Sequence, residues 1–454
     1  MAVLHDEVIE SLRGRLAGAV LVPGDQGYDD VRRVHNGLID KRPSLIGRCR
    51  TASDVAAALG VARACELEVS VRGGGHNVAG KAVTDGGLMI DLSLMKDVRV
   101  DTAMGTITAA GGVTWGELNT AAHERGLATT GGVISTTGVA GLTLGGGLGW
   151  TMGKYGMAVD NLLSAEVVLA SGEIVTTDAD NHPDLFWGIR GGGGNFGVVT
   201  SFTFRAYPLV SVLGGVVVHP LPAARGALRF FRDVTSTLPD EMTVFAALRH
   251  APDGSGMKLC GIPVCHIGAD EAQADRDIQP IRDFGPPVLD MIERMPYPVV
   301  NTLIDDAFPQ GYLNYWKSAF FTDLSDVAID KLVTAFEATP TTHCFLVVEH
   351  FHGAAIRVEA TATAFPHRQG GYNLIIIAEW TDPAQTQDCI AWARGTYDAL
   401  RPHMAAAAYV NYLDTDDFDR VRAAYGPNFD RLREVKRRYD PDNTFHLNQN
   451  IPPV

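Results

Sequence analysis

The stretch Arg72-Gly73-Gly74-Gly75-His76-Asn77 constrains this chain more than any other, because three successive glycines free the main chain for approaches that side chains would block. Consecutive amides in such a bend form a nest that can close on an anion such as a phosphate. The preceding Glu68-Val69-Ser70-Val71 alternates polar and β-branched residues, so a strand is expected to deliver the loop to a fixed place in a sheet. His76 then stands on a rigid support as a nucleophilic imidazole. A surface histidine beside a glycine turn would look the same over these residues alone, so the rest of the chain has to decide.

Two further glycine-rich segments follow. Leu142-Thr143-Leu144-Gly145-Gly146-Gly147-Leu148-Gly149-Trp150 leads into Lys154-Tyr155-Gly156 and Asp160-Asn161, and Asp184-Leu185-Phe186-Trp187 leads through Gly191-Gly192-Gly193-Gly194-Asn195-Phe196-Gly197 into Val198-Val199-Thr200. Gly192-x-Gly194-x-x-Gly197 has the spacing of a dinucleotide-binding turn, but such a turn must open a helix. Here the residues from Val198 to Phe204 alternate with period two, and no acidic residue lies ~20 positions on, which argues against a Rossmann site. The run Gly145-Gly146-Gly147 can serve as an anion nest or as a tight packing crossing.

At 454 residues, 46% hydrophobic and 20% charged, the chain can bury a sizeable core and is expected to hold two domains. A net charge of -15 excludes nucleic acid and anionic membrane as expected partners, since both select basic surfaces. The expected partner is a small molecule. No segment approaches the ~18 uninterrupted apolar residues of a membrane span, and the start of the chain lacks a basic region followed by an apolar one. A cytoplasmic location is therefore expected. Six cysteines without CxxC spacing predict neither a zinc site nor a disulfide framework, and no metal is expected.

Strand and helix signals alternate through the first ~210 residues, an α+β pattern. A helix is expected from Thr51 or Ser53 to Glu66 and another from Thr114 to near Gly126, with strands at 88–92 and 106–109. Beyond Leu213, strands such as 345–348 and 374–377 lie between helical stretches.

Together with Tyr409-Val410-Asn411-Tyr412, Tyr425-Gly426-Pro427-Asn428, Tyr439-Asp440-Pro441 and Asn448-Gln449-Asn450-Ile451, the glycine-rich segments resemble the berberine bridge enzyme-like FAD-linked oxidases, flavoproteins of the vanillyl-alcohol oxidase type. Among bacterial members the chain is most similar to the 6-hydroxy-D-nicotine oxidase kind. The resemblance spans nearly the whole chain and is weak only between about Leu213 and Pro340. It implies a two-domain PCMH-type fold: an FAD-binding domain over 1–210, an antiparallel-sheet substrate domain covered by helices over 211–408, and a segment over 409–454 that returns to the first domain.

The resemblance further implies which residues meet FAD. They are Arg72, Gly73, Gly74, Gly75, His76, Asn77 and Gly80 in the first loop, and Gly132, Ser135, Thr136, Gly138, Gly141, Leu142 and Gly146 in the second region. Tyr155, Gly156, Asn161, Gly197, Val199, Tyr409, Asn411 and Asn448 complete the set. Clustered glycine amides suit a pyrophosphate, and the Ser135 and Thr136 hydroxyls add donors. His76 matches the histidine that bonds the flavin 8α carbon, a link that makes the ring a stronger oxidant. Many relatives add a cysteinyl bond, but Ile134 stands at that position, so attachment through His76 only is expected. That departure implies easier substrates than those of doubly attached members. Thr137 falls where the family regulates oxygen access, and its valine-like size favours an oxidase.

Hydride transfer from a secondary alcohol or amine needs a base for the adjacent proton. Tyr412 is the candidate, provided positive neighbours or the flavin environment lower its pKa; a tyrosine merely buried with its hydroxyl satisfied is the alternative. The strand after Phe365-Pro366-His367-Arg368 carries no acid before Glu379, leaving Glu349 as a replacement, on the strand face opposite His350 and His352. His350-x-His352 has metal-ligand spacing but no third ligand nearby, so a sheet surface is expected. Gly311-Tyr312-Leu313-Asn314-Tyr315-Trp316 is expected to help line a pocket for a ring-bearing ligand. The resulting expectation is an oxidase using O2 and releasing hydrogen peroxide. An FAD dehydrogenase with another acceptor, and a non-catalytic flavin-containing drug-binding protein, are the alternatives.

Overall fold

The computed structural model describes residues 5–454. The strand expected before the glycine loop is Val69–Arg72, which forms one edge of a four-stranded sheet and runs parallel to Leu88–Asp91, itself parallel to Leu45–Arg48. Ala19–Leu21 closes the far edge antiparallel. Helix Ala52–Ala64 makes the crossover, and the Thr51 hydroxyl, not that of Ser53, caps it by accepting from the Asp54 N–H. The helix stops short of Glu66 because that residue turns into positive φ, +51°.

A second sheet holds five antiparallel strands in the order Val98–Asp101, Thr106–Ala110, Val198–Arg205, Leu162–Val168 and Ile174–Thr177. The glycines from Gly192 to Gly197 thus open a strand and not a helix, as the period-two alternation predicts. Thr114 caps helix Trp115–His123 in a capping box with Glu117, an arrangement that satisfies orphan amides at the helix start.

The chain then builds a large antiparallel sheet. Its principal strands are ordered Ser211–Pro220, Lys258–His266, Met242–His250, Phe345–Phe351, Gly371–Trp380 and Leu313–Phe321. Strands of this width bury both faces. One face packs under helices Ala224–Thr235, Glu271–Asp283, Asp326–Glu337 and Thr386–Leu400, enclosing Phe231, Ile278, Leu332 and Phe336 with Val244, Leu346, Leu374 and Ile376. Period-two alternation sends Glu349, Asn373 and Trp316 to the opposite face, toward the glycine-rich loops.

The last residues pack back on the first half. Tyr425, Leu432, Val435 and Ile451 share a core with Trp187, Phe196, Phe202 and Phe204. Inside it lies Lys436, fully buried, whose ammonium donates to Asp440 (2.6 Å), the Asn195 carbonyl (2.8 Å) and the Phe445 carbonyl (3.0 Å). Such an ion survives burial because every donor is used. Among the described residues no helix is long and apolar enough to cross a membrane. Replacing Lys436 by Met should strand the Asp440 carboxylate and cost about 3–5 kcal/mol of unfolding free energy in a urea titration.

Candidate active site

Two backbones cross at Gly74 and Gly138. A Cβ on Gly74 would lie 2.4 Å from the Gly138 nitrogen, and one on Gly138 would lie 2.4 Å from the Gly74 nitrogen, so no other residue fits either position without moving main chain. The crossing fixes the first glycine loop against residues 132–138, and one cavity opens where they meet. Its walls include Gly73, Gly74, Gly75, His76, Asn77, Gly132, Ile134, Thr137, Gly138, Gly141 and Leu142. Gly197, Val199, Asn411, Tyr412 and Asn448 add to them, and Trp316 and Glu349 enter from the large sheet.

The cavity suits an anionic, extended cofactor. Among the described residues, the main-chain N–H groups of Gly74, Gly75, His76 and Asn77 have no protein acceptor, the state expected of an anion nest. At Gly141 a Cβ would meet nothing within 4 Å, since that helix face looks into the open cavity. Lys81 also lines it, its ammonium held by the Asn448 carbonyl at 2.8 Å, and supplies positive charge. The residues present fit an FAD.

Several residues expected to touch the cofactor stand behind the wall instead. Arg72 turns away, its guanidinium donating to the Val31 carbonyl. Ser135 donates both its N–H (2.8 Å) and its hydroxyl (2.5 Å) to Asp305, so it bridges to the substrate side and has no donor left for a phosphate. Neither it nor Thr136 lines the cavity. Gly80 faces Ile39, and Gly146 is a packing crossing whose Cβ would strike Met157, Phe365 and Tyr409. Tyr155 stacks on Tyr207 with ring centres 3.9 Å apart, Gly156 turns at φ +77° against Asp160, and Asn161 donates to the Tyr155 and Met157 carbonyls. Tyr409 is fully enclosed, its hydroxyl accepting from the Gly147 N–H (2.8 Å) and the Asn411 amide (2.9 Å). These side chains shape the wall that Asn411, Leu142 and the glycines present.

Glu349 is the one carboxyl that lines this cavity among the described residues. It is 2% exposed, and burial lifts its carboxyl to about 7, against the partial restraint of hydrogen bonds from Asn373 (2.7 Å) and Tyr412 (3.2 Å). Tyr412 departs from expectation. Among the described residues no cation stands beside it; burial and the facing Glu349 carboxylate push its phenol well above the ordinary value. The Tyr412 hydroxyl is therefore a neutral donor to Glu349. Asn373 occupies the strand on which an acid was sought, and its amide serves the acid on the next strand.

Desolvation holds the half-buried His76 imidazole down at about 3, so the ring stays neutral and nucleophilic. Its Nδ1 lies 3.4 Å from the Thr137 hydroxyl. No cysteine lines the cavity, where Ile134 and Val133 present apolar surface. Of the segment 311–316 only Trp316 reaches the cavity, edge-on to Tyr412; Tyr315 is turned to Asp416. Tyr425 and Gln449, quoted above as motif residues without a role, also line it, as does Lys81, which went unread because a lone lysine carries no periodic signal. His350 and His352 stack on each other at 4.7 Å, on the face away from Glu349.

A family model for the FAD binding domain matches residues 43–178, and one described as berberine and berberine like matches residues 408–452. The (R)-6-hydroxynicotine oxidase of Paenarthrobacter nicotinovorans is 32% identical over 96% of this chain and 97% of its own length. An FAD-linked oxidoreductase of Dictyostelium discoideum is 29% identical over 99% of this chain and 97% of its own. The crystal structure of 6-hydroxy-D-nicotine oxidase from Arthrobacter nicotinovorans aligns with a TM-score of 0.88 at 31% identity, covering 97% of this chain and 98% of that one. A berberine bridge enzyme variant shares the fold, with a TM-score of 0.88 at 22% identity over 99% of both chains. With its glycine-lined cavity, two-domain α+β architecture and full-length relatives, the chain belongs to the berberine bridge enzyme-like family of FAD-linked oxidoreductases.

Proposed function

We propose that this oxidoreductase is an oxidase that removes a hydride from a secondary alcohol or amine on a small ring-bearing molecule, with O2 as acceptor and hydrogen peroxide as product. The observation that carries the reading is a buried carboxylate, Glu349, set in the same cavity as a neutral imidazole, His76, and a run of unpaired glycine-loop amides. When bound, FAD supplies the two-electron acceptor that no side chain provides. Gly74, Gly75, His76 and Asn77 would hold its pyrophosphate, with Asn411 and Asn448 on the opposite side of the chain's return. His76 is its single covalent anchor, since Ile134 offers no sulfur. Residues 1–210 and 409–454 form the flavin domain and 211–408 the substrate domain.

Glu349 accepts the proton of the substrate hydroxyl or amine as the carbon gives up its hydride. Tyr412 and Asn373 orient the carboxylate, and the Tyr412 hydroxyl takes no proton itself. Trp316, Ile134 and Val133 give the slot flat apolar surface, which suits an aromatic ring and excludes water from the reacting carbon. The name of the relative that oxidises (R)-6-hydroxynicotine supports this substrate class. Thr137, beside His76, leaves room for oxygen.

Intact-mass measurement of denatured protein should show an increment of one FAD, absent in the His76→Ala variant. An unmodified parent would remove the covalent anchor.

Peroxide release from a panel of aromatic secondary amines and alcohols, 6-hydroxy-D-nicotine included, should fall about 10²–10⁴-fold in Glu349→Gln. The parental rate should rise as pH passes through about 7, where Glu349 ionises. The same shift predicts stability. A carboxyl whose folded value is raised keeps its proton in the native state after the unfolded chain has lost it, so stability falls as pH rises from the ordinary glutamate value to about 7. Between pH 4 and pH 8, Glu349→Gln should therefore gain about 3 kcal/mol on the parent in chemical denaturation. A pH-independent difference would place Glu349 outside the titrating site.

A further inference from the structure

We propose that His35, outside the cavity wall, is the positioning residue that holds His76 in register for flavin attachment; the inference rests on the reading of His76 as the covalent anchor. The two imidazoles stack with ring centres 4.1 Å apart and planes 21° from parallel. A face-to-face neighbour at that distance blocks rotation of the His76 ring out of its plane, and the Thr137 hydroxyl at 3.4 Å from Nδ1 meets its edge.

His35 is itself held firmly. Its N–H donates to the carbonyl of Gly75, the residue before His76, at 3.0 Å, and its carbonyl accepts from the Gly311 N–H at 2.9 Å. The adjacent Asn36 is buried between the domains: its amide donates to the Val78 carbonyl (2.8 Å) and the Asn314 carbonyl (2.9 Å), and its oxygen accepts from the Asn314 N–H (2.9 Å). The segment thus ties the His76 loop to strand Leu313–Phe321 of the large sheet. Yet His35 Nε2 is buried with no hydrogen-bond partner. The ring therefore meets His76 through its flat face and not through a hydrogen bond.

Attachment joins a lone pair of His76 to the flavin 8α carbon. The C–N bond forms, the methyl C–H and the imidazole N–H each lose a proton, the freed electron pair reduces the flavin, and O2 reoxidises it with release of hydrogen peroxide. The attacking nitrogen has to be unprotonated and correctly aimed. Stacking on a second buried neutral ring serves both needs, because an imidazolium would face a desolvated neighbour with no counter-ion.

The test compares full-length His35→Leu and His35→Phe, following the covalently flavinylated fraction by intact mass at fixed times after induction, with thermal unfolding as the control for folding. Leucine fills the volume without a flat face and should slow attachment on the order of ten-fold or more while noncovalent FAD is retained. Phenylalanine should restore a rate close to that of the parent. Parental attachment in His35→Leu, or equal slowing by Leu and Phe, overturns the proposal. Should His35→Leu not fold, His35→Gln replaces it with the same expectation. A parent that carries no covalent flavin overturns the His76 reading itself, and is distinguished because parent and His76→Ala then both lack the flavin increment over their own sequence masses.

Discussion

The site depends on the main-chain crossing of Gly74 and Gly138. Each glycine occupies the space a Cβ would need on the other, and the contact locks the loop after Val69–Arg72 to the turn that carries Ile134 and Thr137. From that contact follow the position of His76, the orientation of the free amides beside it, and the helix Val139–Leu144 whose Gly141 leaves the cavity open. A second set of ties brings the large sheet to this corner. Asn301 bonds both Asn119 and the Gly132 carbonyl, Asp305 receives Ser135, and Asn36 clasps Asn314. The cavity exists because these buried polar pairs hold two separately packed cores together.

Burial then sets the electrostatics. Removing water from Glu349 raises its carboxyl, while removing it from His76 and His35 lowers their imidazoles, so one physical cause yields a carboxyl near neutrality and two uncharged rings. The raised carboxyl is a cost to folding that the surrounding core has to offset, a common condition of groups poised for proton transfer. Tyr412 shares the desolvation but faces a carboxylate in place of a cation, so its hydroxyl keeps its proton and donates it to Glu349 in a hydrogen bond.

Much of this was legible in the sequence where a local pattern had a local cause. The glycine runs, the β-branched alternation before them and the Thr-x-x-Glu box at Thr114 each declare their conformation within a few residues. Glu349 could be placed on the correct strand face by period two alone. The failures share a different cause. Ser135 looked like a free hydroxyl donor because Asp305, far along the chain, is invisible from its surroundings. Gly146 looked like part of a nest because tertiary neighbours, not the tripeptide, decide between nest and crossing. Tyr412 required knowledge of which charge sits opposite, and Lys81 and His35 carry no periodic or motif signal at all.

On this reading His76 and Glu349 address one bound flavin and one substrate slot. A crystal structure of the flavin-loaded protein with a nonreactive aromatic amine or alcohol tests it most directly. Continuous density is expected between the His76 ring and the flavin, with the Glu349 carboxylate within hydrogen-bond reach of the ligand's amine or hydroxyl. Density that breaks at His76, or a ligand whose polar group meets some other side chain with Glu349 sealed behind the wall, would contradict it.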